Sequence, residues 1–325
     1  MVETTPAPDF SYYRGDIYWN NFPQVAAHLD ALITGSPKRG WVEYLAERYP
    51  PVDCVLALNC GIGWPERLLF TAGLVRSVVG VDVQGSSLAV ARAAAEKIGM
   101  PARYVEMDTN RPVLIDIKPQ WALNYAALHH ATFIDRLVRE VYFSLPRDGL
   151  LINYDYVGPH RNQYGREAWS RMRQMVETLP DELRPTLAYP HMKTMLATDP
   201  TEAVHSELVL ETVSRYFDIE ARIPLGGALA YHLLYQNHGL YAEHETERGE
   251  AVIRSIIDAD IDFTRGEVDR SLFAYVIARK KRHGISAEDL LRWSEQERAR
   301  EAAASANGGR YYPPTEIELE TYGSD

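Results

Sequence analysis

Cysteine is scarce: the 325-residue chain has two, Cys54 and Cys60. They form no CxxC pair and no zinc spacing, which excludes a disulfide framework and a cysteine-rich metal site. Basic charge is also short, with 34 Lys and Arg against 45 Asp and Glu, for a net charge of -11. A grip on a phosphate backbone needs a basic stripe, so nucleic acid is not an expected partner. Long apolar runs are missing too. No stretch approaches the roughly 18 uncharged apolar residues of a membrane span, and the opening MVETTPAPDFSYY has no basic region followed by an apolar one. No membrane partner and no secretion are expected, so the chain reads as soluble and cytoplasmic. The ten histidines show no HxH or HxxxH spacing. A divalent metal is therefore admitted, with Asp155 as one ligand, but not indicated.

What is present is an ordinary globular composition, 46% hydrophobic and 24% charged, on a chain long enough to bury a large core unaided. There is no internal repeat. Residues 1–50 read as an N-terminal helical segment with an aromatic patch: Tyr12, Tyr13, Tyr18, Trp19 and Phe22. Those rings suit helix packing more readily than a lid, and a homodimer through them stays open. Between 51 and 157 short apolar runs alternate with helical patterns. Strands are expected at 55–58, 78–83, 102–105, 121–124 and 150–154, and helices at 66–72, 86–98 and 133–145, with Ser86 or Ser87 as the cap of the second.

Such alternation implies right-handed crossovers and a doubly wound, mainly parallel α/β sheet. Residues 158–215 read as an inserted cap, with helices at 166–179 and 203–216. Residues 216–283 complete the sheet with strands at 217–223 and 271–278 around a helix at 247–258. The remainder, 284–325, reads as a charged peripheral helix and a polar tail.

Ligands of open α/β sheets sit at the C-terminal strand ends. The first strand runs straight into Asn59-Cys60-Gly61-Ile62-Gly63, a turn that lets backbone approach a ligand closely ahead of a helix N-terminus. The second strand ends in Asp82, 19 residues after Gly63, where a carboxylate can accept both ribose hydroxyls. The third ends near Asp108, placed to receive an exocyclic amine. Together they outline an adenosine site.

This order resembles the class I S-adenosylmethionine-dependent methyltransferases, most closely over residues 53–157. The resemblance implies a Rossmann-like fold, S-adenosylmethionine as cofactor, and Asn59, Gly61, Gly63, Asp82, Asp108 and Asn124 around it. Ala57 stands where the family has an acid and Asn59 where it has a glycine, and Glu66 is a replacement charge. A dehydrogenase fits less well, because its third glycine falls on Glu66. The segment Asn124-Tyr125-Ala-Ala-Leu128-His129-His130 resembles the family's fourth strand and following loop. Tyr156-Val-Gly-Pro-His160-Arg161-Asn-Gln163-Tyr164 resembles an EYVGPxRxQW motif of a bacterial subgroup tied to saccharide and secondary-metabolite pathways. Asp199-Pro-Thr-Glu202-Ala-Val-His205-Ser206 resembles that subgroup's DPxEAVxS, and Gly226-Gly227 through Tyr231-His232 its glycine pair.

Methyl transfer to a small acceptor is the implied activity, most readily O-methylation of a sugar or glycosylated metabolite. The base is sought among His129, His130, His160 and His232, with Asp155 as orienter, because neutral imidazole takes a proton near pH 7. Tyr156, Arg161, Gln163 and Tyr231 are expected at the acceptor, with Arg161 equally suited to pinning the cap together with Glu202. The competing readings are a noncatalytic binding protein on the same fold and a metal-assisted O-methyltransferase.

Overall fold

A computed structural model describes residues 17–114 and 117–323; Tyr12 and Tyr13 lie outside them. Seven strands form one sheet: β1 (Val52–Leu58), β2 (Val75–Asp82), β3 (Ala102–Glu106), β4 (Trp121–Tyr125), β5 (Leu150–Tyr156), β6 (Phe217–Pro224) and β7 (Phe273–Lys280). Their order is β3-β2-β1-β4-β5-β7-β6, parallel from β3 through β5. β7 runs antiparallel between β5 and β6, with a bulge between Ile219 and Ala221. The strand order reverses between β1 and β4, where crevices form in such sheets.

The apolar runs are long because the strands are covered on both faces. Along β1, Val55 and Ala57 enter one core while Leu56 and Leu58 enter the other, following the period of two. The first core takes in α1 (Pro23–Thr34), α2 (Trp41–Arg48), α3 (Trp64–Thr71) and α4 (Gly85–Lys97). The second holds α5 (Ile134–Ser144), whose apolar face carries Ile134, Leu137, Val138 and Val141.

After β5 the chain builds the cap from α6 (Arg166–Thr178) and α7 (Met192–Thr198), and returns through α8 (Val209–Tyr216) to β6. Three helices precede β7: α9 (Ala230–Leu234), α10 (His238–Ala242) and α11 (Glu247–Thr264). Finally α12 (Ala287–Ala306) and α13 (Glu316–Tyr322) close the chain.

Two local expectations are corrected. The cap of α4 is Gln84, and Ser87 instead donates its hydroxyl to the Gln84 side chain. The helix expected from 203 starts only at Val209, because Ala203 takes a left-handed φ of 47° and its carbonyl accepts the Arg161 N–H at 2.7 Å. The C-terminal region also makes specific contacts. Glu297 of α12 is buried, and its carboxylate accepts the first-turn N–H groups of α5 at Asp135 (2.8 Å) and Arg136 (3.3 Å). Glu318 of α13 accepts the N–H of Met192 at 2.9 Å.

Candidate active site

A cavity of about 660 Å³ opens at the C-terminal ends of β1, β4 and β5. The turn after β1 forms one wall. Asn59, Gly61 and Gly63 all take positive φ, 42°, 52° and 74°. Asn tolerates that region better than other side chains, so the turn keeps its shape without the first glycine. Gly63 has a second requirement: a Cβ there would meet Glu66 Oε1 and the Tyr104 hydroxyl at 2.7 Å.

Glu66 sits in the first turn of α3, fully buried at the cavity wall. Its Oε1 accepts the Tyr104 hydroxyl at 3.1 Å, while Oε2 has no hydrogen-bond partner among the described residues. Burial pushes this carboxyl up to about 7. An unmatched carboxylate oxygen facing a cavity is suited to a cationic ligand. Asp82 holds the turn from below, its two oxygens accepting the N–H groups of Gly61 and Gln84 at 2.8 Å each. Burial raises its carboxyl despite those backbone donors. Asp82 and the exposed Asp108 lie beyond the cavity wall, on the rim made by β2 and β3.

Behind the opposite wall, and not lining the cavity themselves, Asn124, Asn153 and Asp155 are brought together by the register of two parallel strands. Asn124 of β4 pairs with Asn153 of β5, and Asn153 and Asp155 share a face. Asn124 therefore donates its amide to Asn153 Oδ1 at 2.7 Å and to Asp155 Oδ2 at 2.8 Å. The tight exit from β4 uses a left-handed Ala126 and a single 3-10 turn, Leu128–His130. That turn carries His129 over the end of β5, where Nδ1 lies 2.6 Å from Asp155 Oδ1. The Tyr156 N–H also donates to Oδ1, at 2.9 Å. Asp155 is fully buried with both oxygens engaged, which fits the orienting role and leaves little for a metal.

A carboxylate only accepts, so His129 carries its proton on Nδ1 and keeps the Nε2 lone pair. Burial pulls the His129 imidazole down, but the Asp155 charge and hydrogen bond outweigh it and raise the pKa above 6.5. His130 goes the other way, lowered by burial and by its neighbour His129. Both rings line the cavity. His130 Nδ1 stands 3.3 Å from Thr201 Oγ1 and Nε2 3.7 Å from Glu202, which also lines it.

Aromatic rings close the rest. Tyr125 stacks on Tyr154 with centroids 4.7 Å apart, and Trp19 stacks on Phe273 at 4.9 Å. Tyr156 and Tyr231, both expected at the acceptor, line the cavity with Tyr18 and Tyr235. The N-terminal rings thus pack and face the site at once. Trp19 is buried between Phe273 and Tyr231 while presenting an edge to the cavity.

Other expected site residues do not line it. His160 donates from Nδ1 to the Val204 carbonyl at 2.8 Å, behind the wall. His232 packs against the Tyr164 ring at 4.2 Å with its Nε2 buried, and that burial pushes its pKa down to about 3. Arg161 is buried and donates to the carbonyls of Asp199 and Glu202 at 3.5 and 3.3 Å. Gln163 donates to the Pro190 carbonyl at 2.9 Å and accepts from Thr315 at 3.3 Å. His160, Arg161 and Gln163 tie segments of the cap together, while His232 packs against it from α9. Sequence reasoning missed Tyr235 and Phe273 as wall residues, since no local motif marks a residue delivered by a distant segment; Tyr18 and Asp199 stood in the aromatic patch and the DPxEAVxS-like motif without being assigned to the site.

Residues 56–153 match the family model of a methyltransferase domain. The match runs from β1 into β5 and so contains the glycine turn, Glu66, Asp82 and His129. No curated protein matches the chain. Among solved structures, an S-adenosylmethionine-dependent methyltransferase from Mesorhizobium loti is similar at 21% identity, covering 74% of this chain and 99% of that one, with a TM-score of 0.42. A [4+2]-cyclase is similar at 16% identity, covering 82% and 87%, with a TM-score of 0.47. A phosphoethanolamine N-methyltransferase from Haemonchus contortus, solved with S-adenosylhomocysteine, is similar at 15%, covering 74% and 53%, with a TM-score of 0.47.

Proposed function

We propose that this protein transfers the methyl group of S-adenosylmethionine to a hydroxyl of a small acceptor, most readily a sugar or glycosylated secondary metabolite. The observation that carries the reading is His129, held by the buried Asp155 and lining the same cavity as the glycine turn and Glu66. The residues fit the cofactor. Glu66 would hold its cationic end in place of the acid missing at Ala57, and the left-handed turn admits close backbone approach. Asp82 retains lone pairs for ribose hydroxyls beside the two N–H groups it already accepts.

When bound, the cofactor supplies an electrophilic methyl on a sulfonium. The chain's own work is alignment and proton removal. His129 Nε2 takes the hydroxyl proton as the oxygen attacks, and Asp155 stabilises the resulting imidazolium. Asn124 and the Tyr156 N–H fix the Asp155 carboxylate, so the base does not reorient during reaction. Tyr125, Tyr154, Tyr156 and Tyr231 offer flat faces for the apolar side of a ring-shaped acceptor. Calorimetric titration with S-adenosylmethionine, S-adenosylhomocysteine and NAD tests the cofactor, followed by an acceptor screen over sugars and phenols. Binding of the first two alone supports the reading, and no binding moves a noncatalytic protein to the front.

A metal-assisted variant has one observation in its favour. His129, His130 and Glu202 place ligand atoms within 4.8 Å of one another at the cavity wall. Activity abolished by chelation and restored by Zn²⁺ or Mn²⁺ would favour it over the imidazole base.

A further inference from the structure

Away from the cavity, three side chains from the cap converge with unmatched polar atoms. His160 follows β5, while His205 caps and Glu207 lies within the Ser206–Leu208 turn before α8. Their ligand atoms lie within 4.8 Å of one another. His205 is fully buried and His160 only 7% exposed. Among the described residues, no hydrogen-bond partner reaches His160 Nε2, His205 Nδ1 or Glu207 Oε2. Buried polar atoms without partners are costly, and three in one place require an explanation.

The remaining atoms of the same side chains are all engaged. His160 Nδ1 faces the Val204 carbonyl at 2.8 Å, which only accepts, so the proton sits there and Nε2 holds a lone pair. His205 Nε2 faces Glu301 Oε1 of α12 at 3.3 Å, which likewise turns the Nδ1 lone pair inward. Glu207 Oε1 accepts the Tyr312 hydroxyl at 3.1 Å, leaving Oε2 for the centre. A histidine whose outer N–H is held by a carbonyl or carboxylate is the usual surrounding of a metal ligand. Tyr311 closes the cluster, its ring 4.3 Å from His205 and its hydroxyl 2.6 Å from Glu301.

We propose that His160 Nε2, His205 Nδ1 and Glu207 bind one divalent transition metal of the zinc class, fastening the cap to α12 and the C-terminal tail. Two imidazoles and one carboxylate suit Zn²⁺ rather than Mg²⁺ or Ca²⁺, which prefer all-oxygen sites. Metal–ligand bonds of about 2.0–2.1 Å put tetrahedral ligand atoms about 3.3 Å apart, so the three side chains, whose ligand atoms already lie within 4.8 Å of one another, need a contraction of about 1.5 Å at most. Water completes the fourth position. The proposal is independent of the chemistry assigned to the cavity.

The full-length protein is stripped with EDTA, then titrated with Zn²⁺ and, separately, with Co²⁺. One equivalent of bound metal is expected by elemental analysis, together with the visible absorption of tetrahedral Co²⁺ and a rise in Tm on reloading. Glu207→Gln and His205→Ala should each lose the Co²⁺ spectrum, while His130→Ala, at the rival cluster, should keep it. Glu207 is only partly buried, so its variant separates metal loss from misfolding. Absence of stoichiometric binding to the unaltered protein overturns the proposal. So does a spectrum lost in His130→Ala and kept in Glu207→Gln. Either result leaves His205 packed between Glu207 and Glu301 without a metal.

Discussion

His129 Nδ1 meets Asp155 Oδ1 at 2.6 Å although 26 residues separate them, because the turn after β4 folds over the end of β5. The pair holds the His129 imidazole in one orientation and raises its pKa above 6.5, as the proposed base requires. Replacing Asp155 with Asn should lower turnover by about 100-fold or more while leaving S-adenosylmethionine affinity unchanged. A base works deprotonated, so kcat/KM should rise with pH through a midpoint above 6.5 in the unaltered enzyme, and that midpoint should move down in D155N. The same shift affects stability with the opposite trend. A raised histidine stabilises the fold below its unfolded pKa, and the contribution fades as pH climbs through the folded value. A pH–rate profile beside a pH–Tm series checks both.

Glu66 should trade stability for ligand binding. Its carboxyl stands at about 7 in the fold against 4.5 ordinarily. Between those values the folded state holds a proton that the unfolded chain has lost, so stability falls as pH rises through this window. The shift corresponds to about 3 kcal/mol at most. Glu66→Gln should therefore unfold later than the unaltered protein in urea at pH 8, with little difference at pH 4. It should also bind S-adenosylmethionine more weakly, because the charge facing the cavity is gone. A variant that is neither stabilised at pH 8 nor weakened in binding would remove Glu66 from the site.

The two glycines of the turn should respond differently to alanine. At Gly61 a Cβ meets nothing within 4 Å, leaving only backbone strain at φ 52°, about 1–2 kcal/mol. At Gly63 the same strain adds to contacts at 2.7 Å with Glu66 and Tyr104. Gly63→Ala should cost about 1–3 kcal/mol more than Gly61→Ala, read from urea denaturation midpoints. It should also displace Glu66 and weaken cofactor binding.

Arg161 should behave as a cap fastener. Its guanidinium donates to two carbonyls of the 199–202 loop and lies outside the cavity. Arg161→Ala leaves those buried acceptors unmatched and should destabilise by about 1–3 kcal/mol. KM for the acceptor should stay unchanged at temperatures where the variant is folded. A large rise in KM without a fall in Tm would return Arg161 to the acceptor.

The sequence by itself determined the sheet, the order of its strand–helix units and the turn that ends β1. Those depend on local periodicity and on glycine conformation, both written in neighbouring residues. It also marked Glu66, through the acid missing at Ala57, and placed Asp155 beside the histidines as an orienter. Choosing among four candidate histidines needed the tertiary structure. His129, His130, His160 and His232 look alike in sequence, and only strand register and loop path put one of them on Asp155 and set His232 against Tyr164. The same holds for Trp19 and Phe273, far apart in the chain yet stacked at the cavity wall, and for His160, His205 and Glu207. Such groupings depend on long-range packing, where residues meet through the shape of the whole fold rather than through spacing along the chain.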